Sequence, residues 1–290
     1  MVAKTPVKIG FIGAGKVGTA LAVLLSRKGY KIASIYDPKT GAAAGLASEI
    51  VGSRICDSAQ EAAGAAGMVF ITTPDSVIPG IAAQVKWKAG QFVIHCSGAD
   101  SADILEPANE AGALIGVFHP LQTFAGAAEA IDNLPGSTFA IEAHEPLLAK
   151  LKKMADDLGG NWIVLKESDK AAYHAAAVIT SNYLVTLVKM ATDLWKTFSI
   201  PADQAAKALL PLLKGTIHNI ETIGLPDCLT GPIARGDSGT VLKHLQTIKA
   251  RAPQLLAAYK ELGRQTIPIA VAKGTIAKQQ TRELETILKK

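Results

Sequence analysis

Short apolar runs alternate with stretches in which apolar positions recur every three or four residues. The runs fall at 7–12, 31–36, 68–72, 92–95, 114–118, 138–141 and 162–165. Runs separated in this way predict crossover units, and hence a mainly parallel sheet with helices on both faces. After Leu165 the strand rhythm stops and a helical period takes over, with helices expected over roughly 168–198, 201–213, 214–222, 237–250 and 252–263 and a charged tail beyond. The pattern predicts an α/β domain with a doubly wound parallel sheet over residues 1–166, followed by an all-α domain over 167–290.

The first of the later helices is apolar almost all round, through Val178, Ile179, Leu184, Val185, Leu187, Val188 and Leu194. It is expected to be buried on several sides, as the spine of the second domain or as the interface of a homodimer. Tyr173, His174, Thr180, Ser181, Asn182 and Lys189 interrupt it, and a bilayer would desolvate them all, so no membrane partner is expected.

Composition adds limits. Across 290 residues, 49% hydrophobic and 19% charged, there is ample material for a packed core, while 5% aromatic residues argue against a base-stacking nucleic-acid binder. The net charge of +5 is scattered, with only short pairs such as Lys152-Lys153, so the basic stripe of a nucleic-acid protein is missing and a small anionic ligand fits better. Cys56, Cys96 and Cys228 lie far apart, without the paired spacing of a metal site, and read as thiols of a reducing compartment. The chain runs straight from its first residues into a strand with no leader pattern, so a cytoplasmic location is expected and no metal is.

One motif carries a strong ligand signal. Gly13-Ala14-Gly15-Lys16-Val17-Gly18 follows the first strand and opens the periodic segment Val17, Leu21, Leu24, Leu25. In this context Gly13 makes a tight turn, Gly15 lets the backbone approach a pyrophosphate, Gly18 allows close helix packing, and the helix N-terminus offers free N–H groups. Asp37, at the end of the next strand, stands where an acid accepts ribose hydroxyls. A Rossmann domain binding NAD or NADP is the expectation; Asp37 favours NAD, whereas Lys39 and Thr40 suit a 2′-phosphate. Thr73 and Pro74, at a later strand end, border the same expected crevice.

Two further strand ends carry Ser97 and Gly98, within His95-Cys96-Ser97-Gly98-Ala99, and His119-Pro120-Leu121-Gln122. Proton transfer coupled to hydride transfer suits histidine, which makes His119 the leading acid–base candidate, against a structural histidine at a strand end. His95 reads mainly as structural, Ser97 as a catalytic or cofactor contact and Gln122 as a substrate contact. On the long helix Lys170, His174 and Ser181 fall within roughly 40° of one another, with Asn182 about 120° from Lys170. Polar groups sharing one face of an apolar helix line a wet pocket or join a packing network; in the first case Lys170 and His174 are catalytic and Ser181 and Asn182 bind substrate. Tyr173, about 60° off the stripe, reads as structural. In the motif Leu229 to Asp237, Arg235 is placed to hold a carboxylate, or else closes a glycine-rich turn, and Asp237 to cap a helix.

These motifs, in this order, resemble a bacterial family of Rossmann-like oxidoreductases whose C-terminal domain was long catalogued as of unknown function. That family is similar in turn to the 6-phosphogluconate and β-hydroxyacid dehydrogenase superfamily, which includes ketopantoate reductase and pyrroline-5-carboxylate reductase. The resemblance implies a nicotinamide cofactor, an interdomain active site and helical-domain dimers; by analogy a deazaflavin is a further hydride partner. Relatives carry a lysine and an asparagine four residues apart on the first interdomain helix, whereas here the pair is Lys170 and His174, with asparagine only at Asn182. Ser97 with His119-Pro120 is also similar to prephenate dehydrogenases, in which the histidine contacts the reacting hydroxyl. The implied activity is hydride transfer to a small carboxylate-bearing substrate, first a branched 2-oxo acid such as ketopantoate. Ring-hydroxyl oxidation, imine reduction and non-catalytic NAD(H) sensing are the alternatives.

Overall fold

The structure is a computed structural model and describes residues 7–289. It divides into two compact units, Met1–Ser181 and Asn182–Lys290.

In the first unit β1 (Ile9–Ile12), α1 (Lys16–Arg27), β2 (Ile32–Tyr36), α2 (Thr40–Ser48), β3 (Arg54–Ile55), α3 (Ala59–Gly64), β4 (Met68–Ile71), α4 (Ile78–Gln84) and β5 (Phe92–His95) build the first half of the sheet. They are followed by α5 (Glu106–Glu110), β6 (Leu114–Leu121), α6 (Ala127–Asn133), β7 (Thr138–Ala143), α7 (Leu147–Asp157), β8 (Asn161–Val164) and α8 (Lys170–Thr180). The eight strands lie in the order β3-β2-β1-β4-β5-β6-β7-β8. All pairings are parallel except β6 with β7. Winding reverses between β1 and β4, which opens a crevice at their carboxyl ends.

Alternate residues of the central strands serve opposite cores. Phe11, Phe70 and Ile94 pack under α1, α6 and α7, while Ile12, Val69, Ile71 and Val93 pack against α3, α4 and α5. Burial on both faces is why these strands read as unbroken apolar runs. Although aromatics are scarce, they form a row across the sheet: Phe11 stacks on Phe70 at 5.3 Å, Phe70 meets Phe118 edge-on at 6.1 Å, and Phe118 stacks on Phe139 at 4.5 Å. The two-residue edge strand β3 was not expected; it is too short to carry an alternation signal.

The second unit holds α9 (Asn182–Lys196), α10 (Ala202–Thr222), α11 (Ser238–Arg251), α12 (Leu256–Lys273) and α13 (Lys278–Lys289). Its cores are small: Val241, Leu245, Ile267, Ala270, Leu284 and Leu288 form one, and Ile248, Ala252 and Leu255 with Met190 and Leu194 another. The expected break between 213 and 214 is absent, since α10 continues through Pro211. The charged tail is α13, a helix that buries Leu284 and Leu288 on one side.

The long helix is not continuous. It is interrupted at Ser181, whose φ of −101° and ψ of −65° separate α8 from α9. The two compact units divide at the same place, and Lys170 and Tyr173 bond to sheet residues and bind α8 to the first unit. In the single chain Ile179, Tyr183 and Val185 are exposed. The stretch Glu167–Lys196 is long and apolar enough to cross a membrane by length and composition, yet Lys170 within it is buried in an ion pair with Glu142.

Candidate active site

The glycine turn caps β1 at the winding reversal. Gly13 has φ +107°, and a Cβ there would lie 2.7 Å from the Thr72 backbone, so only glycine fits. A Cβ on Gly18 would lie 2.3 Å from the Gly13 carbonyl and 2.5 Å from Thr72 Oγ1, which fixes the close approach of α1 to the strands. A Cβ on Gly15 would meet no atom within 4 Å, and Gly15 lies exposed with Lys16, leaving the backbone open on its outer side. Val17 packs its side chain against the core and contributes only backbone.

Asp37 locks this turn. Its Oδ2 accepts the Ala14 N–H at 2.8 Å and its Oδ1 accepts the Lys39 N–H at 2.8 Å. Each oxygen keeps a lone pair for a ribose hydroxyl. Beside Gly13, Thr73 Oγ1 is buried without a hydrogen-bond partner among the described residues, and Pro74 is exposed. An open glycine backbone, a helix N-terminus and an orphaned hydroxyl at one strand edge fit a dinucleotide phosphate.

At the ends of β5 and β6 polar groups of the first unit converge. His119 Nδ1 lies 2.8 Å from the Tyr173 hydroxyl. A Cβ on Gly98 would lie 2.7 Å from His119 Nε2 and 2.8 Å from His174 Nδ1, so the absence of a side chain at 98 lets both rings in. His174 Nδ1 is buried and has no partner among the described residues. Lys170, 2% exposed, pairs with Glu142 at 3.5 Å. Burial, reinforced by the Lys170 ammonium, pushes His119 down to about 4, so its imidazole is neutral at physiological pH. Burial also lowers the Lys170 pKa against the pull of Glu142, and pushes Tyr173 up to about 12.

The structure thus brings together His119, Lys170, His174 and Gly98. The other candidates are placed differently. The Ser97 hydroxyl is buried and saturated, accepting from Ala99 N–H at 3.3 Å and Asp100 N–H at 3.1 Å and lying 3.0 and 2.9 Å from carboxylate oxygens of Asp75 and Asp100. It organises the loop instead of offering a free catalytic hydroxyl. Gln122 is likewise engaged: its amide donates to the Asn133 carbonyl at 3.0 Å and Ser137 Oγ at 3.2 Å, and accepts from Thr123 N–H at 2.8 Å. Its side chain therefore pins the loop after β6. Ser181, half-buried at the end of α8, leaves the stripe because the helix breaks there.

Asn182 and Arg235 belong to the second unit, where both are exposed. Asp237 caps α11, accepting from Thr240 N–H at 2.9 Å. His95 is structural, as expected: Nδ1 accepts from Ser97 N–H at 3.1 Å and Nε2 meets the Ser101 carbonyl at 2.9 Å. Among the described residues no group of three or more metal-ligating side chains converges.

Residues missed from the sequence are Tyr173, Glu142, Asp75 and Asp100. Tyr173 was legible: a helix lines a pocket with an arc of about 100°, wide enough to include a residue 60° off the stripe.

Residues 2–120 match a Rossmann-like domain, and residues 137–266 match the domain of unknown function DUF2520. None of the curated proteins compared matches the chain significantly. Among solved structures, a Bacteroides fragilis protein provisionally named an NADP oxidoreductase is 26% identical over 91% of this chain and 98% of its own, with a TM-score of 0.72. A Thermotoga maritima protein is 24% identical over 92% and 99%, with a TM-score of 0.73. A reductive aminase from Aspergillus terreus, solved with NADPH and ethyl-5-oxohexanoate, is 15% identical over 98% and 93%, with a TM-score of 0.63, and shares the fold.

Proposed function

We propose that this chain, which joins a Rossmann-like domain to a DUF2520 domain, is an oxidoreductase that moves a hydride between NADP(H) and a small organic substrate. The observation that carries it is His119, a neutral imidazole bonded to Tyr173 on one nitrogen and facing Gly98 with the other, at the sheet edge that holds the glycine turn.

The backbone of Ala14 to Val17 at the start of α1, with Thr73, would hold the pyrophosphate, and Asp37 a ribose hydroxyl. The NADP named for the Bacteroides protein and the NADPH in the aminase support the phosphorylated cofactor. Exposed Lys39 and Thr40 beside Asp37 supply groups for its 2′-phosphate, which reverses the lean toward NAD. When bound, the reduced nicotinamide supplies a hydride.

The residues of the chain supply the proton. Tyr173 keeps its proton because burial disfavours the phenolate, and in this reading its hydroxyl is the donor to His119 Nδ1, 2.8 Å away. The imidazole proton then resides on Nε2. As Nε2 gives up that proton, Nδ1 takes the one from Tyr173 while solvent reprotonates the tyrosine oxygen in the same event, so neither the ring nor the phenol becomes charged. Lys170 opposes a second positive charge on this ring.

The reading extends to a homodimer in the reducing cytoplasm. Its supports are the exposed apolar residues Val185 on α9 and Leu212 and Ile220 on α10, and three free cysteines.

The test is oxidation of NADPH and NADH with ketopantoate, other 2-oxo acids, aldehydes, ketones and cyclic imines. At least one compound is expected to oxidise NADPH, and Tyr173→Phe to slow it about 100-fold with unchanged NADPH affinity. Tight NADPH binding with no reaction would replace the enzyme by a nucleotide sensor.

A further inference from the structure

We propose that the sheet unit holds a second small-molecule site, for a phosphate monoester with a compact apolar body, in a lysine-lined cavity at the amino ends of β1, β2 and β4. The cavity lies at the opposite strand ends from the glycine turn, and the proposal does not rest on the oxidoreductase reading.

The cavity has a volume of about 340 Å3, at the lower end of the range for small-molecule sites. Ile9 and Met68, the first residues of β1 and β4, and Met154 of α7 form an apolar floor, and all three are buried. Around them stand four lysines: Lys28 just after α1, Lys31 just before β2, and Lys150 and Lys153 on α7. A single carboxylate, Asp157, shares the lining, which leaves a surplus of three positive charges there against a net +5 for the whole chain. Charges that are scattered along the sequence are thus gathered by the fold at one place.

The one carboxylate is already engaged. Asp157 Oδ2 accepts from the Tyr30 hydroxyl and from the Lys153 ammonium, each at 2.6 Å. Those two bonds, with the Lys28 charge adding to them, hold its carboxyl below the usual range. Lys150 lies 5.4 Å from the centroid of the Phe92 ring. Lys28 and Lys31 are exposed and have no ion-pair partner among the described residues. An incoming anion therefore meets open ammoniums and a carboxylate whose charge is offset.

The lining also narrows the ligand. It contains lysine and no arginine. An ammonium is a point charge without the planar fork that matches a carboxylate, so several together suit the tetrahedral oxygens and double charge of a phosphate monoester. The adaptable side chains of Met68 and Met154 suit a compact apolar body attached to it. Ile9 and Gly13 stand at opposite ends of β1, about 13 Å apart, so this site is separate from the glycine turn.

Methionine methyl NMR of the whole chain reads the site directly, because Met68 and Met154 line it and Met190 does not. Phenyl phosphate at physiological ionic strength is expected to shift the Met68 and Met154 methyls saturably and leave Met190 in place, with or without NADPH. Benzoate and inorganic phosphate are each expected to bind about tenfold more weakly. Lys28→Gln and Lys31→Gln are each expected to weaken phenyl phosphate about tenfold with an unchanged Tm. Benzoate binding as tightly as phenyl phosphate overturns the phosphate assignment, and inorganic phosphate doing so overturns the apolar body. Shifts that fail to saturate, that persist undiminished in both lysine variants, or that vanish when NADPH is added overturn the site itself.

Discussion

The two units bury their apolar residues to different degrees. In the sheet unit Phe11, Phe70, Phe118 and Phe139 are fully enclosed, and helices cover both faces. In the helical unit Val185, Leu212 and Leu225 are each about 70% exposed, and the cores are two small clusters. The sheet unit therefore has the interior of a self-sufficient domain, while the helical unit carries apolar surface that a single chain leaves in water. Apolar patches of this kind mark interaction surfaces. The pKa-shifted histidines and the glycine turn likewise all lie in the enclosed unit.

The sharpest way to break this contrast is to open the sheet core. Phe118→Ala empties the space between Phe70 and Phe139 and is expected to destabilise the first unit by about 4 kcal/mol, read by denaturant unfolding. A loss below about 1 kcal/mol would show that this core is no more demanding than the helical surface.

The next effect acts on the other unit. Leu212→Asp on the exposed side of α10 is expected to weaken a homodimer by about 3 kcal/mol, about a hundredfold in Kd, with the sheet unit unchanged. Light scattering after size-exclusion chromatography reads it. A wild-type chain that is monomeric at micromolar concentration sinks the dimer proposal.

The sheet unit also has a pH signature. Burial holds both His95 and His119 at about 4, below the ordinary histidine value of 6.5. The folded state thus binds fewer protons than the unfolded chain between those limits, so its stability is full above pH 6.5 and falls as pH drops toward 4. At pH 5 the expected loss is about 2 kcal/mol per histidine. His95→Gln should flatten part of the slope; a stability constant from pH 7 to 5 would contradict the burial argument.

Legibility in the sequence followed the same division. The sheet was readable because strands buried on both faces leave continuous apolar runs, and Gly13 to Gly18 because each glycine answers a steric demand: a positive φ at Gly13, a carbonyl in contact at Gly18. The single stripe through Ser181 failed because helical geometry was extrapolated across a break that no proline or glycine marks. For Ser97 and Gln122 the sequence leaves a choice open. A polar side chain at a strand end serves either a ligand or its own loop, and nothing in the sequence shows that Asp100, Ser137 and the backbone claim these two first. Tyr173 was undervalued because its partner, His119, lies 54 residues away.

The smallest test compares two helix ends inside the second unit. After α9, Ser199 takes φ +66° while Ile200 N–H bonds to the Trp195 carbonyl and Ser199 N–H to that of Lys196. After α12, Gly274 takes φ +74° with the same bond pattern, Thr275 N–H to Ala270 and Gly274 N–H to Val271. Both are left-handed caps, but the first places a β-carbon where glycine is preferred. Ser199→Gly is expected to stabilise the helical unit by about 0.5 kcal/mol and Gly274→Ser to destabilise it by about 1 kcal/mol, since glycine's greater unfolded-state freedom offsets part of the first gain. Thermal unfolding of the two variants should move in opposite directions. If both lower the Tm, Ser199 is held by contacts of its hydroxyl and not by the cap geometry.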